Sequence, residues 1–198
     1  MRNITILLFA LACILLNHAP SQAADTNAIK AIIVKNAISL GVDPAIALSI
    51  ARTESGFRHE ARSPHGAVGV YQLMPSTARK MGLNPYSLND NIKGGIMYYK
   101  KMYSMFGSVE LALAAYNAGP GNVKRYNNAI PPYAETRRFV SKIMTDVNKQ
   151  RVTPDPIVAK VKSGAYSAKA PVGESMKKQE IVEELPIKLE LETSSVAI

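Results

Sequence analysis

The run Asp43 to Phe57, DPAIALSIARTESGF, constrains the fold of this chain more than any other segment. Asp43 and Pro44 start a helix, an apolar body follows, and Gly56 stops it. At helical spacing Ala47, Ile50, Ala51 and Glu54 share one face, the side that must dock into a core. A fold built around this helix therefore carries a carboxylate on its buried side. Desolvation disfavours the charged form of such a group, and the negative end of the helix dipole disfavours it further. Both effects raise its pKa, as a general acid requires. The segment alone equally admits a solvated glutamate at a helix end, or one paired with Arg52 or Arg58.

A chain of 198 residues has room for one ordinary domain with a real core and some extra segments, not for two full domains. Arg2 precedes an apolar stretch from Ile4 to Leu16, and a polar region then ends in Ser21-Gln22-Ala23. That order reads as a secretory signal peptide over residues 1–23, cleaved after Ala23. Its apolar part is short for a membrane span and no later segment could span, so the mature chain is expected to be periplasmic or secreted, with no integral membrane segment. Cys13 is the sole cysteine and lies inside the signal, which leaves the mature chain no disulfide and no thiol nucleophile. Ala10-Leu11-Ala12-Cys13 has a faint likeness to a lipoprotein processing site. The apolar run continues past it through Leu16, which favours ordinary cleavage.

The formal charge of +9 is unevenly spread. Residues 24–151 carry 17 Lys and Arg against 8 Asp and Glu, whereas residues from Glu174 onward carry 3 Lys against 6 Glu. A basic folded part attracts polyanions over long range. For an exported protein an anionic wall polymer or membrane surface is the accessible polyanion, not nucleic acid.

Punctuation places the remaining elements. Asn27 to Leu40 reads as an opening amphipathic helix that stops at Gly41. Ser76 caps a short helix ending before Gly82, and Asp90 to Phe106 forms a long one ending at Gly107. Ser108 with Glu110 opens Val109 to Asn117, and Glu135 to Lys149 closes the domain, so the class is mainly α. Two glycine-rich connections, Pro64 to Pro75 and Gly119 to Asn122, let backbone approach a ligand and mark where a cleft belongs. The catalytic domain is expected over residues 24–151. Residues 152–198, rich in Lys, Glu, Ser and Pro without sustained periodicity, read as a flexible, acidic-ended tail. Within it Lys188 to Glu192, KLELE, alternates apolar and charged residues and could add a strand to a partner; a disordered terminus is the stronger reading.

Other candidate chemistries fail on spacing. His59 and His65 do not share a helix face and no cysteine supports them, so no metal site is expected. There is no nucleophile elbow for a serine hydrolase. Tyr99, Tyr103 and Phe106, with Ile92 and Ile96, form a helical stripe of the kind that fills a core.

Four motifs in order, ARTESGF around Glu54, GVYQLMP from Gly69 to Pro75, AYNAGPG from Ala115 to Gly121 and ETRRFV from Glu135 to Val140, resemble the soluble lytic transglycosylase domain, with its lysozyme-like fold. The resemblance spans roughly Ile29 to Lys149. It implies cleavage of the β-1,4 bond between N-acetylmuramic acid and N-acetylglucosamine in peptidoglycan glycan strands, with no cofactor. By that resemblance Glu54 is the acid and then the base. Ser63 and Gln72 match positions that bind the sugar and its acetamido group, Met74, Tyr116 and Asn117 match others lining the cleft, and Glu135 opens the closing motif. Phe139 stands where the family commonly has Tyr, so this chain lacks that hydroxyl.

One carboxylate can suffice for such a reaction. Hydrolysis of this linkage usually needs a second carboxylate to activate water or act as nucleophile. In the transglycosylase reaction the muramyl 6-hydroxyl attacks its own anomeric carbon and closes a 1,6-anhydro ring, so the nucleophile is intramolecular. Three alternatives stand beside this reading: a hydrolytic lysozyme, a wall-binding module without turnover, and an assembly factor of a secretion, conjugation or pilus machine that cleaves wall as an accessory task.

Overall fold

The computed structural model describes residues 19–166, and its regular elements are helices. In chain order these are α1 (Ala19–Leu40), α2 (Pro44–Glu54), α3 (Pro75–Lys80), α4 (Leu88–Phe106), α5 (Val109–Ala118), α6 (Pro120–Arg125), α7 (Ala134–Val152) and α8 (Pro156–Lys162). Isolated bridges join Arg62 to Val68 and Val68 to Leu73 in the long α2–α3 connection. Among the described residues there is no longer strand.

Local chemistry sets the helix ends. The Asp43 carboxylate accepts from the Ala45 N–H at 2.9 Å and Pro44 occupies the first turn, which starts α2 where the sequence places it. Ser108 caps α5 through the Leu111 N–H. Ser87 does the same for α4 through the Asp90 N–H, so α4 begins at Leu88, ahead of the expected start at Asp90. It ends at Gly107, whose φ of 68° is left-handed and whose N–H returns to the Tyr103 carbonyl. For α3 the cap position is Met74, not Ser76.

α2 and α5 form the centre. Ile46 through Ala51 and Ala112 through Tyr116 are buried, as short helices apolar on most sides require. α1, α4 and α7 enclose them: α4 and α7 pack on α5, α7 also packs on α2, and α1 bridges α2 and α4. Ile33, Leu48, Ile50, Ile92, Leu113 and Ile143 are inaccessible to solvent. Cutting any of them to alanine costs about 2–5 kcal/mol in cores of this kind. The expected aromatic stripe divides: Tyr99 is core, Phe106 half-buried and Tyr103 exposed. Polar contacts fix α7 against α2, with Gln150 Nε2 donating to Ser49 Oγ at 2.8 Å and Arg52 bonding Asp146 at 2.6 Å.

Packing continues past Arg151, the expected end of the domain. α7 runs to Val152, and α8 lies in the stretch expected to be flexible yet docks on α1. Asp155 caps α8 through the Ile157 N–H at 3.1 Å, bonds Lys30 Nζ at 2.8 Å and lies 3.6 Å from the Arg52 guanidinium. Burial pushes its pKa up, but Lys30, the Ile157 N–H and Arg52 outweigh that and hold it below the ordinary value. Ile157 is buried. A helix of seven residues shows no periodicity to read, and its anchors come from the far end of the chain. Residues 167–198, including Lys188 to Glu192, lie outside the described residues, as do residues 1–18 of the expected signal. α1 starts at Ala19, ahead of both the expected helix start at Asn27 and the expected cleavage after Ala23.

Candidate active site

Glu54 is the last residue of α2. The face it shares with Ala47, Ile50 and Ala51 is buried along those three residues, and Glu54 itself emerges half-buried where that face leaves the core. The chain then turns sharply. Phe57, with a φ of 68°, is held in a left-handed conformation that costs a non-glycine residue about 1–3 kcal/mol. Its buried ring offsets this, with the Lys30 ammonium 5.3 Å and the Arg52 guanidinium 5.6 Å from its centroid.

No ion pair neutralises Glu54 among the described residues. Arg52 is engaged with Asp146 and Asp155, and Arg58 donates to the Ser55 carbonyl. The alternative of a glutamate paired with Arg52 or Arg58 therefore does not describe this site. Burial pushes the Glu54 carboxyl from 4.5 to about 8, and the negative charge of Glu135 adds to the rise. At neutral pH Glu54 holds its proton. Glu135 stands exposed in the first turn of α7, so the fold brings a second acid into electrostatic reach of the first. Glu60, the nearest acid in sequence, is exposed.

The second motif is tied to the end of α2 and to α4. Ser55 is buried; its hydroxyl donates to the Val70 carbonyl at 2.8 Å and accepts from the Arg58 N–H. Asn91 is fully buried in α4. It accepts from the Tyr71 N–H at 3.0 Å and donates to the carbonyls of Val68 and Pro85 at 2.9 and 3.0 Å, using both ends of its amide. Gly95 lets the Tyr71 ring lie on the α4 backbone, since a Cβ there would sit 2.2 Å from Cγ of Tyr71. Tyr71 Oη in turn donates to the Ala47 carbonyl of α2 at 2.9 Å.

These supports hold Gln72 at a left-handed φ of 44° on the wall of a cleft of about 270 Å³. The walls come from Gln72 to Met74, from Thr77, from Tyr98 of α4 and from Tyr116 to Gly119. Tyr116 donates its hydroxyl to the Tyr71 carbonyl at 2.8 Å, stacks on Phe139 at 6.3 Å and meets Tyr98 at 5.3 Å. Its phenol is pushed far up by burial first and then by the charge of Glu54, which places Glu54 beside this wall. Asn117 accepts from the Thr136 hydroxyl at 2.7 Å, so its amide N–H groups remain for a ligand.

Four of the expected site residues, Gln72, Met74, Tyr116 and Asn117, thus line one cleft, and Glu54 lies within electrostatic reach of Tyr116 on its wall and of Glu135. Ser63 does not line it. Its hydroxyl accepts from the Ala67 N–H at 3.0 Å and closes the 63–67 turn. His59 is half-buried with Nδ1 unpartnered and His65 is exposed; no group of three metal-ligating side chains converges among the described residues. The sequence reading missed Asn91, Tyr98 and Thr136. A signal for two of them existed: Asn91, Gly95 and Tyr98 recur at i, i+4 and i+7, a stripe beside the Ile92, Ile96 and Tyr99 core stripe.

Known proteins share the sequence and fold of this region. Residues 31–135 match the family described as the transglycosylase SLT domain. A transglycosylase of Enterobacteria phage PRD1 is 31% identical over 118 residues, which cover 59% of this chain and 42% of the phage protein. The soluble lytic murein transglycosylase of Salmonella typhimurium is 33% identical over 128 residues, covering 52% of this chain and 20% of that protein. An inactive glutamate-to-glutamine mutant of lytic transglycosylase Slt from Pseudomonas aeruginosa superposes with a TM-score of 0.56 at 32% identity, over 65% of this chain and 25% of that one. The chain thus spans less than half the length of these relatives. On the matched region, more than half of its length, the chain belongs to the transglycosylase SLT domain family.

Proposed function

We infer that this protein is a peptidoglycan lytic transglycosylase in which Glu54 acts as acid and then as base. The observation that carries the reading is Glu54, half-buried at the end of α2 with no cation paired to it and within electrostatic reach of Tyr116, which with Gln72 and Asn117 lines the cleft. The neutral acid gives its proton to the oxygen of the glycosidic bond as that bond breaks. Positive charge at the anomeric carbon is met by the oxygen of the 2-acetamido group. The carboxylate so formed takes the proton of the muramyl 6-hydroxyl as that oxygen bonds to the anomeric carbon, and Glu54 ends protonated again. Water is neither consumed nor needed.

The cleft supplies complementary polar groups for the acetamido arm. Gln72 Nε2 donates to the carbonyls of Ala61 and Gly69, at 3.2 and 3.0 Å, which leaves its carbonyl oxygen for an amide N–H of the sugar. Asn117 offers N–H donors to a sugar carbonyl. Met74, exposed at the rim, gives an apolar edge for a ring face. Ser63, with its oxygen engaged by Ala67, retains its O–H for a sugar oxygen further along the strand. Export to the periplasm or cell exterior fits this substrate, and N-terminal sequencing of the native protein tests it: a start at Ala24 supports export, a retained N-terminus refutes it.

A second reading, hydrolysis, is favoured by one observation, the charge of Glu135 within reach of Glu54. A carboxylate there could activate water. Turnover on purified peptidoglycan tests the role of Glu54 in either reading. Glu54→Gln removes the donor and keeps the shape, so it should bind glycan strands with the affinity of the native protein and release less than about a hundredth of the product, the scale of a lost general acid. Residual turnover near the native rate would move the acid elsewhere.

A further inference from the structure

The turn that ends α2 fixes the backbone on which Glu54 stands. The N–H groups of Ser55 and Gly56 return to the Ala51 and Arg52 carbonyls at 3.1 Å each, and the Phe57 N–H returns to Ala51 at 3.5 Å. This closure requires Phe57 to keep its left-handed φ of 68°, which persists only where the surroundings hold it. The hold is on the ring, buried and flanked by the Lys30 ammonium and the Arg52 guanidinium.

One carboxylate places both cations. Asp155 Oδ2 accepts from Lys30 Nζ at 2.8 Å and lies 3.6 Å from Arg52 Nη2, and its side chain is only 9% exposed. Lys30 belongs to α1, Arg52 to α2 and Asp155 caps α8, so three elements meet at the Phe57 ring. Arg52 has a second anchor in Asp146 of α7, whereas Lys30 joins no other ion pair among the described residues. Lys160 and Tyr166 line the hollow beside Asp155. Glu54 itself is faced by Glu135 of α7 and Tyr116 of α5.

We propose that Asp155 is a positioning residue for Glu54: by holding Lys30 and Arg52 against the Phe57 ring it locks the turn that ends α2 and keeps the Glu54 carboxyl in its half-buried place. The kinetic part of this proposal rests on the transglycosylase reading above, and the positional part stands without it. α8 then serves the reaction without touching substrate. Once the lock is lost, Phe57 is free to relax to an ordinary φ, the last turn of α2 loosens and Glu54 gains water. Burial is the first cause of its raised pKa, so a loosened turn lowers that pKa.

Titration of the glutamate carboxyls by carbon-13 NMR, with Glu54→Gln to identify the signal, reads this independently of turnover. Asp155→Asn keeps an oxygen to cap α8 but loses the charge that holds both cations, and should lower the Glu54 pKa by about one pH unit. Lys30→Gln leaves Asp155 with Arg52 and should lower it by less. These directions separate position from charge. Through space, removing an anion favours ionised Glu54 and removing a cation opposes it, so charge alone would move the two variants in opposite directions. With Phe57→Leu already present, Asp155→Asn should produce no further change, because the coupling runs through the ring. An unmoved pKa in Asp155→Asn, a rise in Lys30→Gln, or a full response without the ring would each overturn the proposal. On purified peptidoglycan Asp155→Asn should lower kcat roughly tenfold with KM within about twofold, and an unchanged kcat beside an active native protein would also overturn it. A native protein whose Glu54 responds to these variants as described but which cleaves no wall would refute the transglycosylase reading and leave the positioning role standing.

Discussion

Replacing Glu54 by glutamine should stabilise the folded protein at neutral pH while removing its chemistry. A carboxyl of about 8 in the fold against 4.5 unfolded means that the native state prefers the protonated form. Its contribution is full below pH 4.5 and is lost progressively as pH rises through the folded value. Each pH unit inside that window costs about 1.4 kcal/mol, so between pH 4.5 and 7 the native protein loses ~3 kcal/mol that the glutamine variant keeps. The figure is an upper value, because Glu54 is partly solvated and water screens its interactions. Urea unfolding of both proteins at pH 4 and pH 7 reads the effect directly. At pH 4 the two should agree within about 0.5 kcal/mol; at pH 7 the variant should be more stable by up to about 3 kcal/mol, a rise in Tm of roughly 6–12 °C for a domain of this size. Equal stability at both pH values would mean that Glu54 ionises normally, and the argument from burial would fail.

Three further outcomes follow from particular contacts. Glu135→Gln removes the second cause of the raised pKa, so the alkaline limb of the pH–rate profile should move to lower pH; an unmoved limb would show that burial acts alone. Asn91→Ala leaves the Tyr71 N–H and the Val68 and Pro85 carbonyls unpartnered and should cost about 2–4 kcal/mol in denaturant unfolding, with turnover lost before global unfolding as the Gln72 wall loosens. A chain ending after Val152 loses the Asp155 contacts to Lys30 and Arg52 and the buried Ile157, so its Tm should fall by several degrees relative to one ending after Tyr166, and equal Tm values would make α8 an ornament of the surface.

How much of this was legible in the sequence depended on whether the signal was local. Caps and glycine stops are local, so α2 and α5 appear where Asp43, Ser108 and Gly56 place them. The buried face carrying Glu54 was readable for the same reason, because helical spacing alone aligns it with Ala47, Ile50 and Ala51. Less visible was whatever depended on partners distant in sequence. AGPG reads as a loop from its glycines, yet Pro120 begins the short helix α6. Ser63 matches a sugar-binding position by motif, but only the folded turn reveals that its oxygen is spent on Ala67. Asn91 carried no local signal that singled it out, although it holds the backbone of the second motif across 20 residues of chain. Glu135 was picked out by its motif, and its electrostatic hold on Glu54 required the fold.

Internal closure of the muramyl ring is the central claim, and isotopically labelled water tests it most directly. Peptidoglycan digested in such water by the native protein should release fragments ending in 1,6-anhydro-N-acetylmuramic acid, lighter by one water than hydrolytic products and free of solvent oxygen at the anomeric carbon. Mass spectra dominated by labelled reducing ends would contradict the account, and would assign to Glu135 or another residue the activation of water that the proposed reaction does without.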